Sequence, residues 1–363
     1  MTRNLVTFLV IILNLVHQFT LALCFGFTVY DVRHLRAADA FRTTGATSLI
    51  EDDGEIILVG TKDGKIFRCH IANTTVWSEL SGYDSKYPIY SMAKCRGSTP
   101  MLFCGGGDRY VSVWKKESEL WGFVQRLGPH TGWVKGLQFD EEHGRLYSIG
   151  CNCVETWELR DFRLNHLNTR SIENSPTMGC TLSSDLLCLS LLHDGYLVAG
   201  GVDGRIHLWS PDFRLNNVLH SIRVHDGRVV ALAYAADAEL LFSTGHDGRL
   251  HATKFVSGCL IPDGNLSLEG NPRLTTVAVV QDTTKTVDLV LGTVDGRVAF
   301  VNAEKDDSGT KLRLKSSFNM ETKGSIHAVL TMTKLEGREK YSILVGHANG
   351  LSILQIETKA SLV

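Results

Sequence analysis

The chain has little of what would commit it to a charged partner, a metal framework or a helical architecture. Its 37 Lys and Arg stand against 39 Asp and Glu, a net charge of −2. No charge excess therefore demands nucleic acid or an anionic membrane as partner. Seven prolines among 363 residues, and no low-complexity tract, argue against a long disordered tail. Nine cysteines are scattered singly, apart from Cys151 and Cys153, with no CxxC pair and no ordered disulfide spacing. They read as buried thiols, which behave as small core residues. No HExxH, GxSxG or GxxxxGKS/T is present, so the familiar zinc-hydrolase, serine-hydrolase and phosphate-loop signatures are excluded. Gly105 to Gly107 follow a strand-like run, but no helix pattern follows them, so they are not a phosphate cradle. "GCNC", at Cys151 and Cys153, is too close-set for a zinc pair and lacks a second pair. No long amphipathic helical period occurs. No cofactor or metal is expected.

Charge is also absent from the first part of the chain. After Arg3, no Asp, Glu, Lys or Arg occurs until Asp31. The apolar run Leu5 to Val16 suits the core of a signal peptide, and Ala22 and Cys24 place small residues before a cut at Phe25. The same uncharged stretch is long enough to span a bilayer as an anchor. Residues 1–24 are therefore a candidate signal peptide or membrane anchor. Residues 25–45, with Arg33, Arg36 and Arg42, resemble the presequences of algae with secondary plastids, or else serve as a closing strand. Expected localisation is the secretory route or a secondary plastid if this segment acts, and cytoplasmic or nuclear if it does not. Membrane contact is expected only through this segment.

What the chain does have is a repeat. "LVAGGVDGRIHLW" is an apolar strand, a turn at Asp203-Gly204 and a second apolar strand. It recurs as "IILVGTKDGKIFRC", "MLFCGGGDRYVSVW", "RLYSIGCNCVETW", "LLFSTGHDGRLHAT", "LVLGTVDGRVAFV" and "ILVGHANGLSILQI", seven copies in all. The turns lie at Asp63, Asp108, the Cys151–Cys153 segment, Asp203, Asp247, Asp295 and Asn349. An apolar run precedes most copies, such as "WVKGLQFD" or "VVALAYA", and a shorter polar-flanked run follows several. Four short antiparallel strands about every 45 residues, seven times, predict an all-β seven-bladed β-propeller over residues 46–363.

These units resemble WD-repeats, from about Ala46 to Glu357. The resemblance implies a structural network in each blade: a His before the first strand, a Ser or Thr in the second, the turn Asp and a Trp in the third. Here it is patchy. The third unit offers His130, Ser148 and Trp157 without the Asp. The fourth offers Asp203 and Trp209. The fifth offers His225, Ser243 and Asp247, with Thr253 where Trp would fall. The resemblance also implies that an N-terminal strand closes the last blade, and Phe27 to Arg33 is the available candidate.

One pattern goes beyond scaffold. A cation follows the turn in five units, at Lys65, Arg109, Arg205, Arg249 and Arg297. Loops leading into the first strands carry Tyr87, Trp133 and Arg228. Both sets are expected on one face. Aromatic and Arg anchors concentrate binding energy, and cations steer acidic partners. The expected function is a non-catalytic protein-interaction scaffold that assembles a multiprotein complex with partners of unknown identity. An anion-binding propeller (nucleic acid or phosphoinositide, through the Arg/Lys rim) and, less favoured, a propeller enzyme are the alternatives.

The targeting expectation is directly testable. Residues 1–48 fused to a fluorescent reporter should carry it into the secretory route or a plastid. A diffuse cytosolic reporter would show that the uncharged start does not act as a signal.

Overall fold

The computed structural model describes residues 27–35, 45–71, 77–83, 85–171, 185–212, 218–320, 324–332 and 340–358. The expected signal or anchor, residues 1–24, lies outside them, as does most of the insertion between Asp161 and Ser184. The described residues form seven antiparallel four-stranded sheets. Blade 1 holds Ala46–Asp53, Ile56–Thr61, Ile66–His70 and Trp77–Glu79. Blade 2 holds Ile89–Cys95, Met101–Gly106, Val111–Glu117 and Leu120–Leu127. Blade 3 holds Val134–Asp140, Arg145–Gly150, Cys153–Arg160 and Arg163–Ser171. Blade 4 holds Leu186–Leu191, Leu197–Gly201, Arg205–Trp209 and Val218–Arg223. Blade 5 holds Val229–Ala235, Leu240–Gly245, Arg249–Val256 and Cys259–Ser267. Blade 6 holds Leu274–Asp282, Thr286–Thr293, Arg297–Asp306 and Gly309–Asn319. Blade 7 holds Ile326–Met332, Lys340–His347 and Gly350–Thr358, and takes its outer strand from Phe27–Leu35.

The first strand of every blade is innermost, and each touches the inner strands of the blades on either side. The contact between blades 1 and 7 completes the ring. The expected all-β seven-bladed propeller is therefore the observed fold. Helix among the described residues is limited to the 3-10 turn His193–Gly195, and none of their helices is long and apolar enough to cross a membrane.

The weak strand alternation in the sequence has a packing cause. In blade 4, Leu197, Ala199 and Trp209 pack with Tyr147, Ile149 and Val154 of blade 3. Val198, Ile206 and Leu208 point the other way, to Val229, Leu241 and Phe255 of blade 5. Both faces of the sheet are dry, so both positions of the two-residue period are apolar. The last blade meets its neighbours likewise: Leu344, Leu351 and Ile353 pack with Ala46, Ile57 and Val59 of blade 1. Phe27–Leu35 runs antiparallel to Gly350–Thr358, with Phe27 opposite Thr358 and Leu35 opposite Leu351. This pairing joins the first and last described strands in one sheet. Any maturation that keeps this strand must cut before Phe27.

Two irregularities recur with the repeat. Every inner strand has a register shift at its start, between Val134 and Gly136 in blade 3 and at the matching place in the other six. Blades 2 to 6 have another between the third and outer strands, at Trp114, Trp157, Trp209, Thr253 and Val301. Bulges add twist and re-aim one side chain. The first set sits where the loops enter the innermost strands, so it decides which side chains that end of the blades presents.

Trp209 measures the packing. Its side chain is 0% exposed, and its indole N–H has no hydrogen-bond partner. It is held by packing, against the apolar residues of blade 3 and the His207 ring. Trp209→Ala should therefore destabilise by about 3–5 kcal/mol in urea unfolding of the full chain. An unchanged midpoint would contradict the tight inter-blade seam.

Candidate functional site

The turns between second and third strands share a face with the loops leading into the inner strands, because backbone hydrogen bonds tie them together. Gly107 N–H donates to Pro88 O at 2.9 Å, Val202 to Asp185 at 2.9 Å, His246 to Arg228 at 3.0 Å and Val294 to Arg273 at 2.9 Å. All eight residues expected at an interface belong to these segments.

The rim cations are not a free ring of charge. Lys65 Nζ pairs with Glu79 at 3.1 Å, Arg249 with Asp226 at 3.1 Å and Arg297 with Asp295 at 3.5 Å, while Arg205 lies 4.0 Å from Asp203. Arg297 also donates to Glu269 O at 3.0 Å. Exposed pairs of this kind contribute little stability, but they cancel much of the field each cation would project. Arg109, held at φ 70° in the blade 2 turn, and Arg228 are exposed on the same face. Tyr87, 56% exposed, stands beside Gly107 of that turn.

Trp133 gathers the most around it. It is 54% exposed, and its ring stacks on Tyr90 at 5.8 Å with 27° between planes. Lys135 Nζ lies 5.5 Å from the same ring, within cation–π range. Beside it opens a pocket of about 350 Å³ lined by Arg109, Thr131, Gly132, Lys135, Cys151 and Asp185. Burial lowers the Lys135 pKa, partly offset by Asp185, while Arg228 lowers it further. Burial raises the Cys151 pKa, and Asp185 adds to the rise, so the thiol stays protonated and is not an activated nucleophile.

Tyr90 and Lys135 were not legible as site residues from motif reading. Each is the bulged residue at the start of its inner strand. Aligning the repeats on the first residue of that strand would have found them: the next position is Thr47, Tyr90, Lys135, Leu187, Val230, Thr275 or His327, and it varies while its neighbour stays apolar.

In blades 3 and 5 the residues expected to be structural form hydrogen-bonded chains, while Trp209 in blade 4 has no partner for its indole N–H. In blade 3, His130 Nε2 lies 2.7 Å from Ser148 Oγ, which accepts from the Trp157 indole N–H at 2.9 Å. In blade 5, His225 Nε2 lies 3.0 Å from Ser243 Oγ, and His225 Nδ1 lies 2.9 Å and 3.0 Å from the two Asp247 oxygens. Each chain is three members of the His, Ser, Asp, Trp relay that the sequence resemblance implied, blade 3 without the Asp and blade 5 without the Trp.

Comparison with known proteins agrees. The family described as "WD domain, G-beta repeat" matches residues 177–210 and 216–252. A crystal structure of RRP9 WD40 repeats superposes with a TM-score of 0.70 at 16% identity, covering 91% of this chain and 100% of that one. The β-propeller domain of Myceliophteria thermophila Cps50 (Swd1) gives 0.68 at 13% identity, covering 92% and 100%. The chain is a seven-bladed propeller that carries WD repeats in residues 177–210 and 216–252. Protein groucho of Drosophila melanogaster is 22% identical over 214 residues, 58% of this chain and 26% of that protein, so the chain spans about a quarter of that relative's length. WD40 propellers typically bind other proteins and are generally non-catalytic.

Seen as WD repeats, blades 4 and 5 have diverged in opposite ways. Blade 4 keeps the Trp but has Ala199 across from His207, and Asp203 accepts only from Arg205 N–H at 3.1 Å among its short contacts. Blade 5 loses the Trp but keeps a fuller acceptor: Asp247 also takes the N–H groups of Asp226 and Arg249 at 3.0 Å and 3.1 Å. Burial raises the Asp247 pKa, but His225 and these N–H donors outweigh it and hold the carboxyl below its ordinary value. Unfolding removes those partners.

The two aspartates should respond differently. Asp247→Ala should cost about 2–3 kcal/mol and Asp203→Ala about 1 kcal/mol, since unpaired donors scale the loss. A depressed folded pKa means Asp247 stabilises above the unfolded value and loses that contribution as pH falls below about 4. Thermal unfolding from pH 7 to pH 3 should therefore be less acid-sensitive in Asp247→Ala than in the unaltered chain. Equal losses for the two variants at pH 7 would contradict this ranking.

Proposed function

We propose that this propeller is a non-catalytic protein-interaction scaffold that uses its loop-bearing face to assemble a multiprotein complex. The observation that carries the reading is Trp133. A large aromatic side chain, more than half exposed, is held in place by Tyr90 beneath it and Lys135 beside it. A pre-positioned indole loses little side-chain entropy on binding, and Trp is enriched among residues that dominate interface energies. The strands on either side are rigid, which is where loop-borne binding sites gain precision. Arg109, Lys135 and Arg228 surround it with positive charge against the single carboxylate of Asp185, so the complementary partner segment is acidic near an apolar anchor.

Local ion pairing counts against the anion-binding alternative. Lys65, Arg205, Arg249 and Arg297 each have an acid within 4.0 Å, so the rim does not offer them jointly to a polyanion. The enzyme alternative needs converging acids, bases and a nucleophile. In the Trp133 pocket burial and the neighbouring Asp185 carboxylate hold the Cys151 thiol protonated.

The test is binding to partners co-purified with the full chain, measured for variants under identical salt. Trp133→Ala should speed dissociation by an amount equivalent to about 2 kcal/mol. Arg109→Ser with Arg228→Ser should slow association and flatten its salt dependence. The triple change of Arg205, Arg249 and Arg297 to Ser should have a smaller effect, because those cations are already paired. Wild-type affinity in the Trp133 and Arg109/Arg228 variants would move the interface off this face.

A further inference from the structure

We propose that blade 5 holds a divalent transition-metal ion, zinc foremost, between His225, Asp247 and His251. The inference goes beyond the interaction role and is independent of it. One potential ligand atom from each of the three side chains lies within 4.8 Å of the other two, the sole such His/Cys/Asp/Glu group among the described residues. The His225 and His251 rings meet edge to face with centroids 4.6 Å apart. His251 Nε2 is buried and has no hydrogen-bond partner. A buried imidazole nitrogen with nothing to bind is unusual, and it lies against the one blade that combines the His–Asp pair with a second imidazole.

The departure that produces this grouping is readable in the repeat. His251 stands four residues after the turn Asp and directly across from Ser243. The same position holds Phe67 in blade 1, Ser112 in blade 2, His207 in blade 4 and Ala299 in blade 6. His207 lies 3.9 Å from Asp203, but no second imidazole joins that pair among the described residues. Blade 5 has also lost its Trp. Thr253 fills that position with a buried hydroxyl that lacks a partner. Gly245 leaves the donor atoms uncovered from the backbone side: a Cβ there would sit 2.4 Å from His225 Nδ1 and 2.6 Å from Asp247 Oδ1.

Neutral imidazole and ionised carboxylate are the ligating forms, and both are the ordinary forms of His and Asp at pH 7. Ligation moves the His225 proton from Nδ1, where it faces Asp247, to Nε2, which then donates to Ser243 Oγ at 3.0 Å and leaves Nδ1 for the ion. Ligand atoms around a tetrahedral zinc with bonds of about 2.0–2.1 Å lie about 3.3 Å apart. The His225–Asp247 contact, 2.9 Å, needs to open by only a few tenths of an ångström. The Asp247 side chain is 7% exposed, so the fourth ligand has to be a water enclosed with the ion. Two imidazoles, one carboxylate and a water form a donor set of the kind zinc accepts.

The experiment titrates the chelator-treated full chain with zinc chloride by calorimetry and thermal unfolding. Cobalt chloride then reports coordination geometry by visible absorption. The expected result is one zinc equivalent that raises the melting temperature, and a cobalt spectrum of tetrahedral intensity. His251→Phe and His251→Ala should weaken that zinc equivalent about tenfold or more. Both should keep the metal-free melting temperature near its original value, since Phe67 and Ala299 occupy the same position elsewhere in this chain. Two variants of different bulk keep the test open if one folds poorly. No zinc uptake, or uptake and cobalt absorption unchanged in both variants, would overturn the proposal.

Discussion

Apolar contact between neighbouring blades is the constraint from which the rest follows. Each sheet buries both of its faces, as Leu197 and Ala199 against blade 3 and Val198 against blade 5 show within one strand. A sheet with two dry faces cannot stand alone in water, so every blade requires two neighbours. A row of such sheets would leave two apolar faces bare at its ends, and the ring removes them. Closure then places a demand on the chain itself: the outer strand of blade 7 comes from Phe27–Leu35, joining both ends of the propeller in one sheet.

Because packing carries the fold, the polar relays inside the blades can decay. Blade 3 keeps His130, Ser148 and Trp157 in contact without a turn Asp. Blade 4 keeps Trp209 with its indole N–H unpaired. Blade 5 keeps His225, Ser243 and Asp247 but not the Trp. Each loss removes a hydrogen bond that contributes about 1 kcal/mol, whereas the buried side chains contribute several times more in aggregate. Relaxed relays also free positions for new use, and the unpartnered imidazole of His251 is such a case.

The loop-bearing face shows a related division. Its cations recur with the repeat, yet four of them are matched by acids in the same turn, on the next strand or in the adjoining loop. What breaks the repeat is more distinctive. Trp133, Tyr90, Lys135 and Arg109 come from blades 2 and 3 and have no counterpart cluster among the described residues of the rim. Recognition on a repeated scaffold depends on such local asymmetry, since a seven-fold pattern offers the same chemistry everywhere.

The sequence by itself determined the number of blades, the four-strand unit and the face on which the turns lie. Those features depend on local chemistry: Asp-Gly turns, short apolar runs and their spacing, repeated until chance is excluded. It also marked Trp133 and Arg109 as rim residues, because loops on one side of a repeat must share a face. It could not show that Lys65 meets Glu79 or that Arg249 meets Asp226, since pairing depends on side-chain reach between separate segments. It could not show Tyr90 under Trp133, which depends on a bulge re-aiming one residue at the start of its inner strand. Nor could it separate His207 from His251, identical in repeat position. Only the folded blade sets one against Ala199 and the other beside His225 and Asp247, because strand register and the neighbouring loop decide which donors share a space.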